Sequence, residues 1–140
     1  MNNMRILGID YGDARVGVAV SDALGITAQG LETIHHNGND KIVLKRLEEI
    51  IEQYEISKIA IGMPFNMNGT SSERVEVTKK FIHKLNCKFP KIEIVEIDER
   101  LTTVAAHKTM NFLDVNKSKK RGIVDTISAV YILEMYMNRK

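Results

Sequence analysis

Cysteine and proline are both scarce in this chain of 140 residues. Cys87 is the single cysteine, which excludes an intrachain disulfide and a zinc site built from several cysteines. We expect its side chain to be buried as a small apolar group. No apolar run approaches the length that crosses a membrane, and residues 1–5 lack the layout of a secretory signal. We therefore expect a cytoplasmic protein.

Charge of one sign is barely in excess. The chain has 20 Lys and Arg against 18 Asp and Glu, a formal net charge of +2. So small an excess does not identify an acidic partner, because many proteins that bind none share it. Hydrophobic residues make up 44% of the sequence, which is enough for a core, and the length suits one domain. We expect residues 1–140 to form a single domain.

Apolar periodicity predicts five strands and four helices. Strands are expected at residues 5–10, 15–21, 28–35, 57–62 and 91–98. Helices are expected at residues 40–54 with Asp40 as the cap, after a cap at Ser71 or Ser72, and at about 102–112 and 122–137. The basic residues before the last helix are expected to form a loop.

The order of these elements predicts an α/β protein with an RNase H-like fold. Residues 11–14 are too few for a parallel crossover, so the first two strands should be antiparallel. This excludes a flavodoxin-like sheet, which needs a helix there. We expect a five-stranded mixed sheet with the first three strands antiparallel, the first strand central, and helices flanking it.

Asp10 is the first candidate for chemistry. It lies at the exit of the first predicted strand, where its carboxylate can point into a cleft, and Gly12 and Gly17 allow a tight turn and close backbone approach. A hairpin with an aspartate in its turn is the structural alternative, and this segment alone favours it.

Asp98 and Glu99 lie where the last predicted strand ends. Adjacent residues of a strand point to opposite faces, so only one of the two is expected to enter a site. Acidic residues are also favoured near a helix N-terminus, and Thr102 or Thr103 could cap the helix that follows. Helix capping is thus the structural alternative for this pair.

Asp125 belongs to the last predicted helix. Its neighbours at helical spacing are Ser128, Ala129 and Ile132, so it lies on the face that should meet the sheet. A carboxylate on such a face is costly unless it is paired or binds a metal. Its place in the first turns makes capping an alternative here too.

Three carboxylates from the first strand, the fifth strand and the last helix could meet at one edge of the sheet. Oxygen ligands suit Mg²⁺ or Mn²⁺, and two such ions can promote phosphodiester hydrolysis. Basic residues that could contact phosphates are Arg15, Arg100, Lys119, Lys120 and Arg121. A solvated basic loop is the structural alternative for Lys117–Arg121. His35 and His36 lack a ligand partner at regular spacing.

Four motifs cover essentially the whole chain. In chain order they are Gly8-Ile9-Asp10-Tyr11-Gly12 with Arg15-Val16-Gly17-Val18-Ala19, Ile61-Gly62-Met63-Pro64 with Asn66 and Gly69, Asp98-Glu99-Arg100-Leu101-Thr102-Thr103, and Arg121 with Asp125 and Ala129. Together they resemble the YqgF family, also called RuvX. The resemblance implies an RNase H-like fold and a cytoplasmic, metal-dependent nuclease that matures the precursor of the small-subunit (16S) ribosomal RNA. It also implies kinship with Holliday junction resolvases.

The same resemblance implies that Asp10, Glu99 and Asp125 are the catalytic carboxylates and metal ligands. The chain departs from the family pattern at Met63, where leucine is usual. It departs from resolvases of the RuvC type on the strand beside the first, which carries no carboxylate, so Glu99 would supply one from a strand further out.

Three other functions stay open. A sugar kinase or ATPase of the actin type opens with a similar turn, but two such domains must clamp the nucleotide. A Holliday junction resolvase acting on branched DNA and a non-catalytic nucleic-acid-binding module are the other two. The sequence does not distinguish RNA from DNA, nor a monomer from a homodimer.

Overall fold

The computed structural model describes residues 5–65, 72–98 and 117–138, and for residues 117–125 it describes the backbone of a helix. The elements within these ranges are β1 Ile6–Tyr11, β2 Arg15–Ser21, β3 Ala28–His35, α1 Asp40–Tyr54, β4 Lys58–Met63, α2 Glu73–Lys88, β5 Glu93–Asp98 and α3 Lys117–Met137. The helix expected near residues 102–112 lies outside them. None of the helices described is both long and apolar enough to span a membrane.

The five strands form one mixed sheet in the order β3-β2-β1-β4-β5. β1 pairs antiparallel with β2, and β2 pairs antiparallel with β3. β4 is parallel to both β1 and β5. The short link between β1 and β2 closes with a hydrogen bond from the Gly12 N–H to the Arg15 carbonyl, at 2.9 Å. The predicted sheet, with β1 at its centre, is confirmed.

Helices α1 and α2 cover one face of the sheet and enclose the larger core. Alternation along β1 directs Leu7, Ile9 and Tyr11 to this face, where all three are buried. Their partners in the helices are Val43, Leu47 and Ile50 of α1 and Val75, Phe81, Ile82 and Leu85 of α2.

Helix α3 packs on the opposite face. Ala129 and Leu133 of α3 form a cluster with Ile6 and Ala19 of the sheet. Gly8 lies beneath them, and a Cβ atom at this position would stand 2.7 Å from the Ala129 carbonyl oxygen. Glycine is needed here because the helix backbone itself occupies the space of a side chain.

Three local predictions are wrong. Asn39, not Asp40, caps α1 by accepting a hydrogen bond from the Lys41 N–H, because Asp40 is engaged elsewhere. Cys87 is exposed, since it lies off the helical face that α2 buries. The basic stretch before Gly122 is no loop, because α3 begins at Lys117.

Candidate active site

Asp10 projects to the face covered by α3. Its neighbours Ile9 and Tyr11 point into the α1/α2 core, and Gly8, two residues earlier, faces Ala129 of α3. Asp10 shares the orientation of Gly8 because side chains alternate along a strand. Its side chain is half-buried, near the carboxyl end of β1. The predicted place of Asp10 at a strand exit is confirmed.

Glycines flank Asp10 on both neighbouring strands. Gly17 of β2 is its direct partner. On β4 the pairing of Ile9 with Ile61 makes Gly62 the adjacent residue. Neither position brings a side chain to the α3 face beside the carboxylate. The two adjoining strands, β2 and β4, therefore place no carboxylate beside Asp10.

The last two residues of β5, Ile97 and Asp98, point to opposite faces of the sheet. Ile97 packs against Ile132 of α3, so it lies on the same face as Asp10. Asp98 pairs with Met63, which is buried in the α1/α2 core, so Asp98 belongs to the opposite face. Glu99 and Arg100 lie outside the described residues.

Helix α3 runs antiparallel to β1. Tyr136, near its C-terminus, packs against the cluster that contains Ile6 at the start of β1, and Ala129 lies over Gly8 further along β1. The N-terminal half of α3 therefore extends toward the Asp10 end of the sheet. Position 125 is one helical turn before Ala129, a rise of about 6 Å. Ser128, Ala129 and Ile132 are buried, as predicted.

The basic residues before Asp125 belong to the first turns of α3. The helix begins at Lys117, so it includes Lys119, Lys120 and Arg121 before it reaches Asp125. Arg15 is the first residue of β2, where it pairs with His35 and is half-buried. Among residues 5–65, 72–98 and 117–138, no group of three or more His, Cys, Asp or Glu residues that could hold a metal ion occurs.

His36 is a residue for which the sequence indicated no role beyond the lack of a ligand partner at regular spacing. It is 2% exposed, and its Nε2 lies 2.9 Å from the carbonyl oxygen of Gly12, in the turn that follows β1. Its ring stacks on Tyr11, with centroids 5.6 Å apart. The adjacent Asn37 and Gly38 are typical turn residues. These residues predict the turn. They do not predict its contact with Gly12, because Gly12 lies 24 residues earlier in the sequence.

Tyr11 connects this turn to both helices of the larger core. Its ring stacks on Phe81 of α2 at 4.3 Å, and its hydroxyl donates to Asp40 of α1 at 2.6 Å. Asp40 also accepts from Lys84 of α2 at 2.9 Å. Burial, followed by the hydrogen bond to Asp40, raises the pKa of Tyr11 above its usual range.

The sheet order and the helix across its centre define a class of fold, that of the RNase H-like junction resolvases. The structure is similar to that of T. thermophilus RuvC in complex with a Holliday junction substrate, with a TM-score of 0.56 and 14% identity over 96% of each chain. It is also similar to the fowlpox virus Holliday junction resolvase, with a TM-score of 0.54 and 13% identity over 96% of this chain and 98% of the viral one.

The family follows from the sequence matches. Residues 4–139 match the family model described as "RuvX: Holliday junction resolvase", and the chain belongs to the RuvX family. A "Putative pre-16S rRNA nuclease" of Ruminiclostridium cellulolyticum is 55% identical over 136 residues, which are 97% of this chain and 95% of the relative. A protein of the same name from Acetivibrio thermocellus is 50% identical over 137 residues, 98% and 97% of the two chains.

Proposed function

We propose that the chain is a nuclease that hydrolyses phosphodiester bonds in the precursor of 16S ribosomal RNA, with Mg²⁺ or Mn²⁺ held by Asp10, Glu99 and Asp125. The names of the relatives at 55% and 50% identity supply the substrate. The observation that carries the proposal is the half-buried Asp10 carboxylate on the face toward which α3 brings position 125. We further propose one RNase H-like domain over residues 1–140, active in the cytoplasm.

The environment of Asp10 fits a hard divalent cation. The carboxylate is an oxygen donor at the end of a central strand, and both adjoining strands present glycine beside it. When bound, the metal would lower the pKa of a coordinated water and stabilise the leaving oxygen. The chain itself would hold the carboxylate in place at the end of β1.

Glu99 is the better candidate than Asp98 for the second carboxylate. β2 and β4, the strands beside β1, contain no acidic residue. Of the two strands further out, β3 carries only Glu32, which pairs with Arg46 of α1, so the end of β5 is the remaining source in the sheet. Asp98 faces away from Asp10, and the residue after it is the one that extended backbone would return to the α3 face.

Phosphate contacts would come from basic residues around this cluster. Lys119, Lys120 and Arg121 precede Asp125 in the first turns of α3, where the helix dipole also favours an anion. Arg15 and Arg100 are the further candidates. Such contacts position a nucleic acid without reading its bases.

Cleavage of branched DNA is the second candidate function. The description of the matching family and the likeness to resolvases favour it, although the latter concerns the fold alone. Assaying a precursor RNA fragment and a four-way DNA junction side by side distinguishes the two substrates.

Asp10→Asn tests the reaction itself. The amide is neutral and a poor metal ligand, so cleavage should be abolished while the fold is kept. Asp22→Asn is a matched control, because Asp22 caps the β2–β3 turn through Oδ1, which the amide retains. Purified proteins would be compared for cleavage and for urea unfolding. Undiminished cleavage by Asp10→Asn would remove the proposed site.

A further inference from the structure

The buried His36 makes two hydrogen bonds that fix the state of its ring. The Gly38 N–H donates to Nδ1 at 3.0 Å, so Nδ1 is an acceptor and the ring proton is carried by Nε2. Nε2 therefore donates to the Gly12 carbonyl, 2.9 Å away. One side chain thus ties the turn after β1 to the turn before α1.

The backbone of the second turn is shaped to complete this arrangement. Asn37 and Gly38 have φ values of 49° and 88°, in the left-handed region that Asn and Gly tolerate best. The N–H groups of His36 and Asn37 both donate to the Ala14 carbonyl, at 2.9 and 3.2 Å. Residues 36–38 therefore hold the β1–β2 turn through the carbonyls at both of its ends.

The held turn is the direct continuation of Asp10. Tyr11, the residue between Asp10 and Gly12, is itself fixed by its stack between His36 and Phe81 and by its hydrogen bond to Asp40. Arg74 of α2 reaches the Tyr11 carbonyl at 3.5 Å, a longer contact. The chain just after Asp10 is thus held from the α1/α2 side, while the carboxylate projects to the other face.

We propose that His36 is a positioning residue for Asp10: its Nε2–H holds the Gly12 carbonyl and so fixes the direction of the carboxylate toward a divalent cation. The inference rests on the metal site of the proposed function. A ligand whose orientation is fixed in advance binds more tightly, and loss of an outer hydrogen bond typically costs a metal site about 10–100-fold in affinity. Because His36 acts through the backbone, we expect the lower end of that range.

Two substitutions of His36 test its two hydrogen bonds separately. In His36→Asn the amide oxygen can replace Nδ1 as acceptor for Gly38, but the side chain is too short to reach Gly12. In His36→Gln the amide nitrogen can replace Nε2 as donor to Gly12. Both variants keep a polar amide side chain and lose the ring that stacks on Tyr11, and urea unfolding verifies that each is folded.

The measurement is Mn²⁺ binding to the full chain without nucleic acid, by titration calorimetry, with hydrogen exchange of the Gly12 amide as a readout of the turn. We expect His36→Asn to bind Mn²⁺ about tenfold more weakly and to lose Gly12 protection, and His36→Gln to restore both. If wild type binds Mn²⁺ and His36→Asn binds it equally well, or if the two variants are equally impaired, His36 is no positioning residue. If wild type binds no Mn²⁺ at all, the proposed metal site fails and this inference fails with it.

Discussion

The two faces of the sheet are built from side chains of different size. The face toward α1 and α2 carries large residues such as Leu7, Ile9 and Ile61, all fully buried. The face toward α3 carries Gly8, Ala19 and Ala60. Large side chains bury the most apolar area, whereas small ones let a helix approach the strands closely. The face toward α1 and α2 therefore contributes most to stability. The face toward α3 lets that helix approach the strands closely enough for both to contribute to one site.

Among these comparisons of the two faces, the largest effect should come from testing which carboxylate at the end of β5, Asp98 or the following Glu99, belongs to the α3 face. Glu99→Gln should lower the cleavage rate by roughly a hundredfold or more, since a lost ligand should cost at least as much as a lost outer contact. Asp98→Asn should leave the rate nearly unchanged, because Asp98 is on the other face. The two neutral variants would be assayed together. An inactive Asp98→Asn beside a normal Glu99→Gln would reverse the assignment of faces.

The close approach of α3 can be tested at two glycines. In Gly8→Ala the new methyl group would meet the Ala129 carbonyl at 2.7 Å, and a helix backbone cannot yield locally. We expect a loss of about 1–3 kcal/mol in the free energy of unfolding, together with weaker Mn²⁺ binding as α3 moves away from β1.

Gly30→Ala is the matched control for Gly8→Ala. Its methyl group would meet the Thr126 side chain at 3.1 Å, and a side chain can shift by a few tenths of an ångström. Urea unfolding and Mn²⁺ titration of both variants give the comparison. Equal losses in the two would show that the α3 face tolerates no methyl group anywhere, and that Gly8 has no special relation to the site.

Removing positive charge from the α3 side should have a smaller effect, on the affinity for nucleic acid. Replacing Lys119, Lys120 and Arg121 by glutamine should weaken binding of RNA and branched DNA about equally. It should also flatten the dependence on salt by up to about one unit of log–log slope per lost contact. The control replaces Lys41, Lys79 and Lys80, exposed residues of α1 and α2, in the same way. If the control triple lowers affinity as much, the nucleic acid is not confined to the α3 side.

The sequence predicts what is local in this molecule. β2, β3 and α1 have the predicted bounds, and Ser72 caps α2, because alternation, helical spacing and capping depend on neighbouring residues. The place of Asp10 at a strand exit follows from the same patterns.

Contacts between distant parts of the chain could not be predicted in this way. The hydrogen bond between His36 and Gly12 and the approach of Ala129 to Gly8 depend on the sheet order and on the path of α3. The same holds for Asp40, whose engagement by Tyr11 and Lys84 moves the cap of α1 to Asn39. The assignment of Glu99, Arg100 and the Asp125 carboxylate to the site stays a prediction.

The smallest effect concerns Tyr11, the residue of the α1/α2 face next to Asp10. Burial and its hydrogen bond to Asp40 raise the pKa of Tyr11 above the value of about 10 expected in an unfolded chain. As pH rises past 10, the unfolded chain therefore loses this proton first, and the stability that the protonated phenol contributes is lost progressively. The wild type should lose up to about 1.4 kcal/mol per pH unit from this group.

Tyr11→Phe removes that dependence along with the hydroxyl. The variant should be less stable than wild type by roughly 1–2 kcal/mol at pH 8, because Asp40 loses a hydrogen bond. The difference should shrink between pH 9 and pH 11, since only wild type has the phenol to ionise. Urea unfolding of both proteins at several pH values in this window gives the difference directly, and the titration of lysines cancels in it. Two parallel stability curves would mean that the Tyr11 hydroxyl is not held in the core as the structure describes.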